Sequence, residues 1–140
     1  MCMYCKNSTT INSTTTHVVN YKNCIIVIKN VPCLECEQCG EKYYTDERNI
    51  QIVLALLKAH NIRKVVASPG TTNMTLVASM QQDSFFEMYS SVDERSAAYI
   101  ACGLAAESGE PVALSCTGAT ASRNYMSGLT EAYYRKLPIL

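Results

Sequence analysis

Apolar and polar positions along this chain change period near residue 45. Before that point, His17-Val18-Val19-Asn20-Tyr21 and Cys24-Ile25-Ile26-Val27-Ile28 are short β-prone runs flanking Asn20–Asn23, which predicts a hairpin. After it, Thr45-Asp46-Glu47 supplies a hydroxyl cap and first-turn acids for a helix. Ile50, Val53, Leu54 and Leu57 fall on one face of that helix, and Asn61 ends it. Lys64-Val65-Val66-Ala67 is nearly continuous apolar sequence, as expected for a strand of a parallel sheet covered on both faces. Ser68-Pro69-Gly70 then turns the chain into a helix carrying Met74, Leu76, Val77 and Met80. A strand over 85–89 follows, and then a helix over 94–108 with Ala97, Ala98, Ile100, Ala101, Leu104 and Ala105 at helical spacing and Gly109 as its stop. A strand over 112–116, a helix over 120–135 and a strand begun by Pro138-Ile139-Leu140 complete the pattern. This βαβαβαβ alternation predicts an α/β fold with a parallel sheet and right-handed crossovers, preceded by a small β domain. The composition shift puts the boundary between residues 1–45 and 46–140.

Composition narrows the class. Hydrophobic residues make up 48% of the 140 positions and charged residues only 17%, which predicts a folded chain rather than a disordered one. A formal net charge of zero leaves no electrostatic footprint for nucleic acid or a membrane surface. No apolar run approaches the ~20 residues needed to span a bilayer. Without a basic start and an apolar h-region there is no signal peptide, so a soluble, cytoplasmic protein is expected.

Six of the eight cysteines lie within the first 39 residues. Cys2-x-x-Cys5 and Cys36-x-x-Cys39 are separated by 30 residues, and the hairpin between them would bring the two turns together. Four thiolates so placed suit a tetrahedral Zn²⁺ site, and a segment this small needs such a staple to fold. A disulfide framework is the alternative, disfavoured by the missing secretory signal. Cys33 could compete as a ligand, but Gly40 gives the Cys36–Cys39 knuckle its tight turn. Cys24 reads as a small core residue and His17 as a strand residue.

In parallel sheets, ligands collect beyond the C-terminal strand ends. Three turns converge there: Ser68-Pro69-Gly70-Thr71, Val92-Asp93-Glu94 and Cys116-Thr117-Gly118-Ala119-Thr120. Gly70 and Gly118 allow close backbone approach there, while Asn124 and Tyr125 could equally face a partner subunit or solvent. Glu94 sits at a strand-to-helix corner, where an acid serves either as a helix cap or as a functional carboxylate. Arg95 could simply pair with a neighbouring acid on the surface. Neither glycine turn is a P-loop or a GxGxxG.

The run Lys64-Val65-Val66-Ala67-Ser68-Pro69-Gly70, Asp93-Glu94-Arg95-Ser96-Ala97-Ala98, Pro111-Val112-Ala113-Leu114 and Thr117-Gly118-Ala119-Thr120-Ala121 resembles the pyrimidine-binding (PYR) domain of thiamine diphosphate enzymes. MenD-like synthases and acetolactate synthases are the nearest kinds, and the resemblance covers roughly residues 48–140. It implies that Glu94 is the catalytic glutamate that hydrogen-bonds a ring nitrogen of the cofactor's aminopyrimidine, in an enzyme acting on 2-oxo acids, and that Pro69, Gly70, Thr117, Gly118 and Asn124 are the cofactor-binding residues. Three departures stand out. Ser-Pro-Gly is followed by Thr71-Thr72-Asn73 instead of the family's Ser-Arg, whose arginine helps MenD enzymes hold an acidic substrate. The Thr-Ser-Gly-Thr-Ala turn has become Thr117-Gly118-Ala119-Thr120-Ala121. The Gly-Asp-Gly…Asn motif that holds diphosphate and Mg²⁺ on a second domain is absent. The resemblance therefore implies an incomplete PYR domain that binds thiamine diphosphate and Mg²⁺, and is active, only with a partner domain. The partners expected are a second copy of this chain, in a homo-oligomer, or a separate diphosphate-binding subunit.

The first segment has its own resemblance. Cys2-x-x-Cys5, the Thr-rich stretch, Val31-Pro32 and Cys36-x-x-Cys39-Gly-Glu-x-Tyr-Tyr resemble the YgiT-type zinc finger of MqsA-like antitoxins. This implies a structural zinc ribbon with a protein-binding role. With four Lys/Arg against three Asp/Glu in residues 1–45, DNA binding by the finger is not expected. Two further readings stay open: a zinc-ribbon interaction module with a remnant α/β tail, and a truncated gene product.

Overall fold

The computed structural model describes residues 1–21 and 24–140 and divides into two compact units, Met1–Ala59 and His60–Leu140. In the first, β1 (Thr10–Tyr21), β2 (Cys24–Cys36) and β3 (Lys42–Tyr43) form an antiparallel sheet in the order β1-β2-β3. The hairpin is far longer than its apolar runs suggest, because Thr10–Thr15 continues the ladder opposite residues 31–36. Threonine is β-branched and fits a pleated strand without being apolar, so hydrophobic patterning misses it. The register steps between Thr15 and His17. Residues 22 and 23 of the expected turn, and the side chain of Cys24, lie outside the described residues.

Helix α1 (Asp46–Ala59) packs on β2 in the same unit. It turns Ile52 inward and leaves Val53 39% exposed, so its buried face is offset from the one expected. Both positions are apolar, and only contact with β2 chooses between them.

In the second unit, β4 (Lys64–Ala67), β5 (Glu87–Ser90) and β6 (Val112–Ser115) are parallel in the order β5-β4-β6. Ile139 adds a parallel bridge to Val112. β5 starts two residues later than expected, because Phe86 N–H bonds back to Asp83 O in a turn. Helices α2 (Met74–Gln81) and α3 (Glu94–Ser108) carry the crossovers, and α3 has the bounds its periodicity predicts. Asp93 caps α3 by accepting from Ser96 N at 2.7 Å. Gly109 ends the helix in the left-handed region at φ 68°, which favours glycine. Ala97, Ala98, Ala101 and Ala105 line the buried face of α3 and, with Val66, Val112 and Tyr125, form one core cluster. Among the described residues, no helix is long and apolar enough to cross a membrane.

The helix expected over 120–135 is instead two, α4 (Ala119–Arg123) and α5 (Met126–Arg135). Asn124 and Tyr125 take the tighter i→i−3 bonds, to Ala121 O and Ser122 O. The break redirects α5 so that it packs closely on α3. A Cβ placed on Gly128 would lie 2.5 Å from Ala98 Cβ and 3.0 Å from the Ala98 carbonyl carbon. Backbone cannot yield cheaply, so Gly128→Ala is expected to destabilise the protein by about 1–3 kcal/mol, despite alanine's better helix propensity. Urea unfolding checks this, and Ala98→Gly in the same chain should recover part of the loss.

Candidate functional site: two thiol knuckles and the C-terminal edge of the parallel sheet

The pairing of Thr10 with Cys36 sets the chain before β1 beside the chain after β2. Each segment there folds as the same knuckle. Cys2 N–H bonds Asn7 O at 2.7 Å and Lys6 N–H bonds Cys2 O at 3.1 Å; Cys36 N–H bonds Glu41 O at 2.8 Å and Gly40 N–H bonds Cys36 O at 2.9 Å. The residue after the second cysteine is left-handed in both, Lys6 at φ 61° and Gly40 at φ 73°. The structure thus brings Cys2, Cys5, Cys36 and Cys39 together, with all four sulfurs within 4.8 Å of one another. The Cys2–Cys39 and Cys5–Cys36 separations are both 3.5 Å, near the ~3.8 Å edge of a tetrahedron whose metal–sulfur bonds are ~2.3 Å. These cysteines are free thiols, and Cys33, buried on β2, lies outside the cluster.

Crowding splits the acidities of the four thiols. The Tyr43 hydroxyl and the Cys5 N–H lower Cys2 to about 6. The Glu41 N–H acts downward on Cys39, but burial and the thiols of Cys2, Cys5 and Cys36 push it up to about 12. Four adjacent thiolates repel one another, and a divalent cation at their centre is what lets all four ionise.

In the second unit, Ala67 is in register with both Ser90 and Ser115, so the turns after β4, β5 and β6 leave from one edge. Ser68 N–H bonds Ser115 O at 2.8 Å and Ser91 N–H bonds Ala67 O at 3.0 Å. Gly70 lies against Thr117 so closely that a Cβ would sit 2.2 Å from Thr117 Cγ2. Glu94, half-buried in the first turn of α3, accepts from Asn124 Nδ2 at 3.3 Å through Oε2. Its Oε1 carries no hydrogen bond among the described residues. Helix capping falls to Asp93, whose carboxyl is held below the usual range by the Ser96 N–H and hydroxyl, aided by Arg95.

The expected site residues therefore gather as two pairs, Gly70 with Thr117 and Glu94 with Asn124. Pro69 and Gly70 also line an open groove of about 400 Å³ between α2 and β5, and Glu94 lies outside that groove. Gly118 is exposed, with open space where its Cβ would be. Tyr125 is buried in the core cluster beneath this edge. Burial pushes its phenol up, the Ser68 hydroxyl and Cys116 thiol lie beside it, and the charge of Glu94 reaches it. Among the described residues, neither Tyr125 OH nor Ser68 Oγ has a hydrogen-bond partner of good geometry, although both side chains are buried.

Asn73 was not among the expected site residues, yet it braces this edge. It is 6% exposed, accepts from Gly70 N at 2.9 Å, and donates to Ser68 O at 3.1 Å and Ser115 Oγ at 3.2 Å. An Asn three residues beyond a glycine turn, just before a helix, is the one sequence signal that could have marked it. Its side chain leaves the start of α2 uncapped and ties the β4 turn to the end of β6 instead. Asn73→Ala is expected to cost about 2–3 kcal/mol, because the buried Ser68 carbonyl and the part-buried Gly70 N–H both lose their partner. Thermal unfolding of the variant measures this.

Residues 49–140 match the family model described as "Thiamine pyrophosphate enzyme, N-terminal TPP binding domain". The 2-succinyl-5-enolpyruvyl-6-hydroxy-3-cyclohexene-1-carboxylate synthase of Bacteroides thetaiotaomicron is 43% identical over 97 residues, covering 69% of this chain and 18% of that protein. The protein of the same name from Desulfotalea psychrophila is 45% identical over 82 residues, 59% of this chain and 15% of its own. The crystal structure of benzoylformate decarboxylase from Polynucleobacter necessarius superposes with a TM-score of 0.58 at 29% identity, over 64% of this chain and 17% of that one. The chain thus spans less than a fifth of the length of the curated relatives it matches. A parallel sheet whose turns present a glutamate at its C-terminal edge, together with a family match over residues 49–140, places this chain in the thiamine pyrophosphate enzyme family, through that family's N-terminal TPP-binding domain.

Proposed function

We propose that residues 46–140 are the pyrimidine-side part of a thiamine diphosphate enzyme acting on a 2-oxo acid, and that Glu94 is its catalytic carboxylate. The observation that carries this is the disposition of the Glu94 side chain. Asn124 fixes one oxygen, Asp93 takes over the capping, and Oε1 is left to accept from a ring N–H. These residues fit the aminopyrimidine end of the cofactor, which when bound supplies the carbanion chemistry. Glu94 holds or gives up a proton at Oε1, and Asn124 keeps the carboxylate plane from rotating. Pro69, Gly70, Thr117 and Gly118 form the surrounding turns; the close Gly70–Thr117 contact fixes one wall, and the open space at Gly118 admits a ligand atom. Benzoylformate, named for the structural neighbour, is itself a 2-oxo acid, which supports the substrate class.

The diphosphate and Mg²⁺ are held by a partner domain on a separate subunit, because this sequence carries no Gly-Asp-Gly. Residues 1–45 are a YgiT-type zinc ribbon in which Cys2, Cys5, Cys36 and Cys39 hold a structural Zn²⁺. The working compartment is the cytoplasm. The test is calorimetric titration of thiamine diphosphate with Mg²⁺ into this chain together with a domain carrying a Gly-Asp-Gly…Asn motif. Saturable binding that needs both chains is expected. No heat beyond that of the motif domain alone would refute the half-site.

A further inference from the structure

The thiol cluster is surrounded by donors. Backbone N–H groups of Tyr4 and Cys5 reach Cys2, that of Asn7 reaches Cys5, those of Gln38 and Cys39 reach Cys36, and that of Glu41 reaches Cys39. One side-chain hydroxyl joins them. Tyr43 OH lies 3.0 Å from Cys2 Sγ and accepts from Met3 N at 2.9 Å. Tyr43 is on β3, paired with Leu34 of β2, so its phenol ties the sheet to the first knuckle across 41 positions of sequence.

We propose that Tyr43 is a positioning residue of the metal centre, which donates its phenol proton to the Cys2 thiolate while the Met3 N–H fixes the direction of that donation. This rests on the reading that the four cysteines hold a metal. A metal-bound thiolate has no proton, so the hydrogen between these atoms must come from oxygen. Both functions of the hydroxyl are then used, one as donor and one as acceptor, which leaves a single rotamer for the phenol O–H. The bond withdraws charge from one of four thiolates that together carry more negative charge than the cation cancels. It also fixes the Cys2 side chain, which is fully buried. Groups of this kind around metal ligands are worth roughly 10–100-fold in affinity.

The full chain is loaded with Co²⁺, whose thiolate-to-metal charge-transfer band reports on the sulfur donors. Wild type should bind one equivalent with tetrahedral d–d bands. Tyr43→Phe should keep those bands at saturation, lose 10–100-fold in affinity against a competing chelator, and move the charge-transfer band to lower energy. Tyr43→3-fluorotyrosine, a stronger donor of nearly the same shape, should move the band to higher energy, and it decides the matter if the Phe variant does not fold. Tyr44→Phe is the neighbouring control and should change affinity less than about twofold, in contrast to the loss expected at position 43. An unmoved band and an affinity within twofold of wild type for both position-43 variants would overturn the role of Tyr43 while leaving the metal site standing. Failure of wild type to bind Co²⁺ at all would overturn the metal reading itself.

Discussion

Cys36→Ser abolishes stoichiometric metal binding and unfolds the sheet of residues 1–45: this is the largest effect expected of any single substitution in the chain. Cys36 is buried at 1% exposure, at the end of β2, and its backbone closes the second knuckle through bonds to Glu41 and Gly40. A segment of this size buries too little apolar surface to fold unaided. Structural zinc in comparable peptides contributes on the order of 10–16 kcal/mol at neutral pH, and most of that is folding free energy. Metal content and hydrogen exchange along β2 are the measurements. Cys36→Ser should fall from one equivalent of zinc to none, with β2 amides losing protection, and a strong chelator should do the same to wild type. Cys33→Ser is the control. It alters an equally buried thiol outside the cluster and should keep its zinc while losing only about 1–3 kcal/mol, as expected for a polar group placed in the core. A Cys36→Ser protein that keeps both its metal and its β2 protection would remove the basis for a metal-dependent fold.

Glu94→Gln is expected to lower the turnover of the completed enzyme by at least about 100-fold, the lower end of what positioned proton transfer contributes. The substitution suits the geometry. The Asn124 amide donates to Glu94 Oε2, and a glutamine carbonyl accepts that bond equally well, so the side chain keeps its place. Only the ability to carry and share a proton at the other atom is lost. The assay is cofactor-dependent consumption of a 2-oxo acid by this chain combined with its diphosphate-binding partner. Binding is measured alongside, so that loss of turnover with retained cofactor separates chemistry from folding. Arg95→Ala, one residue on and exposed, should leave turnover within about twofold, well short of the loss expected for a proton-transfer residue. A Glu94→Gln enzyme with half of wild-type turnover would move the catalytic assignment elsewhere.

Much of this site could be read from local sequence, because local physics writes it there. The Cys-x-x-Cys spacings state which sulfurs can share a centre, since a turn of that length leaves both pointing one way. The bounds of α3 follow from a stripe of alanines ended by a glycine that tolerates φ 68°. The parallel order of strands and helices follows from the alternation of apolar runs, and it names the edge where ligands gather.

What escaped the sequence was pairing over distance. Asn73 is visible only as a polar residue after a turn, and its bond to Ser115 spans 42 positions. Tyr43 looks like one of two adjacent tyrosines until β3 folds against the knuckle of Cys2. Periodicity cannot foresee the break at Asn124–Tyr125, because residues 120–135 are locally competent as one helix; the tertiary contact of Gly128 with Ala98 requires two. By itself, the sequence determined the bounds and buried stripe of α3 and the spacing of the four clustered cysteines, since these depend on residues a few positions apart. Only the tertiary structure decided which turns meet and which side chain takes which role at the corner of α3. Those choices are set by contacts between residues tens of positions apart, where packing selects among locally equivalent options.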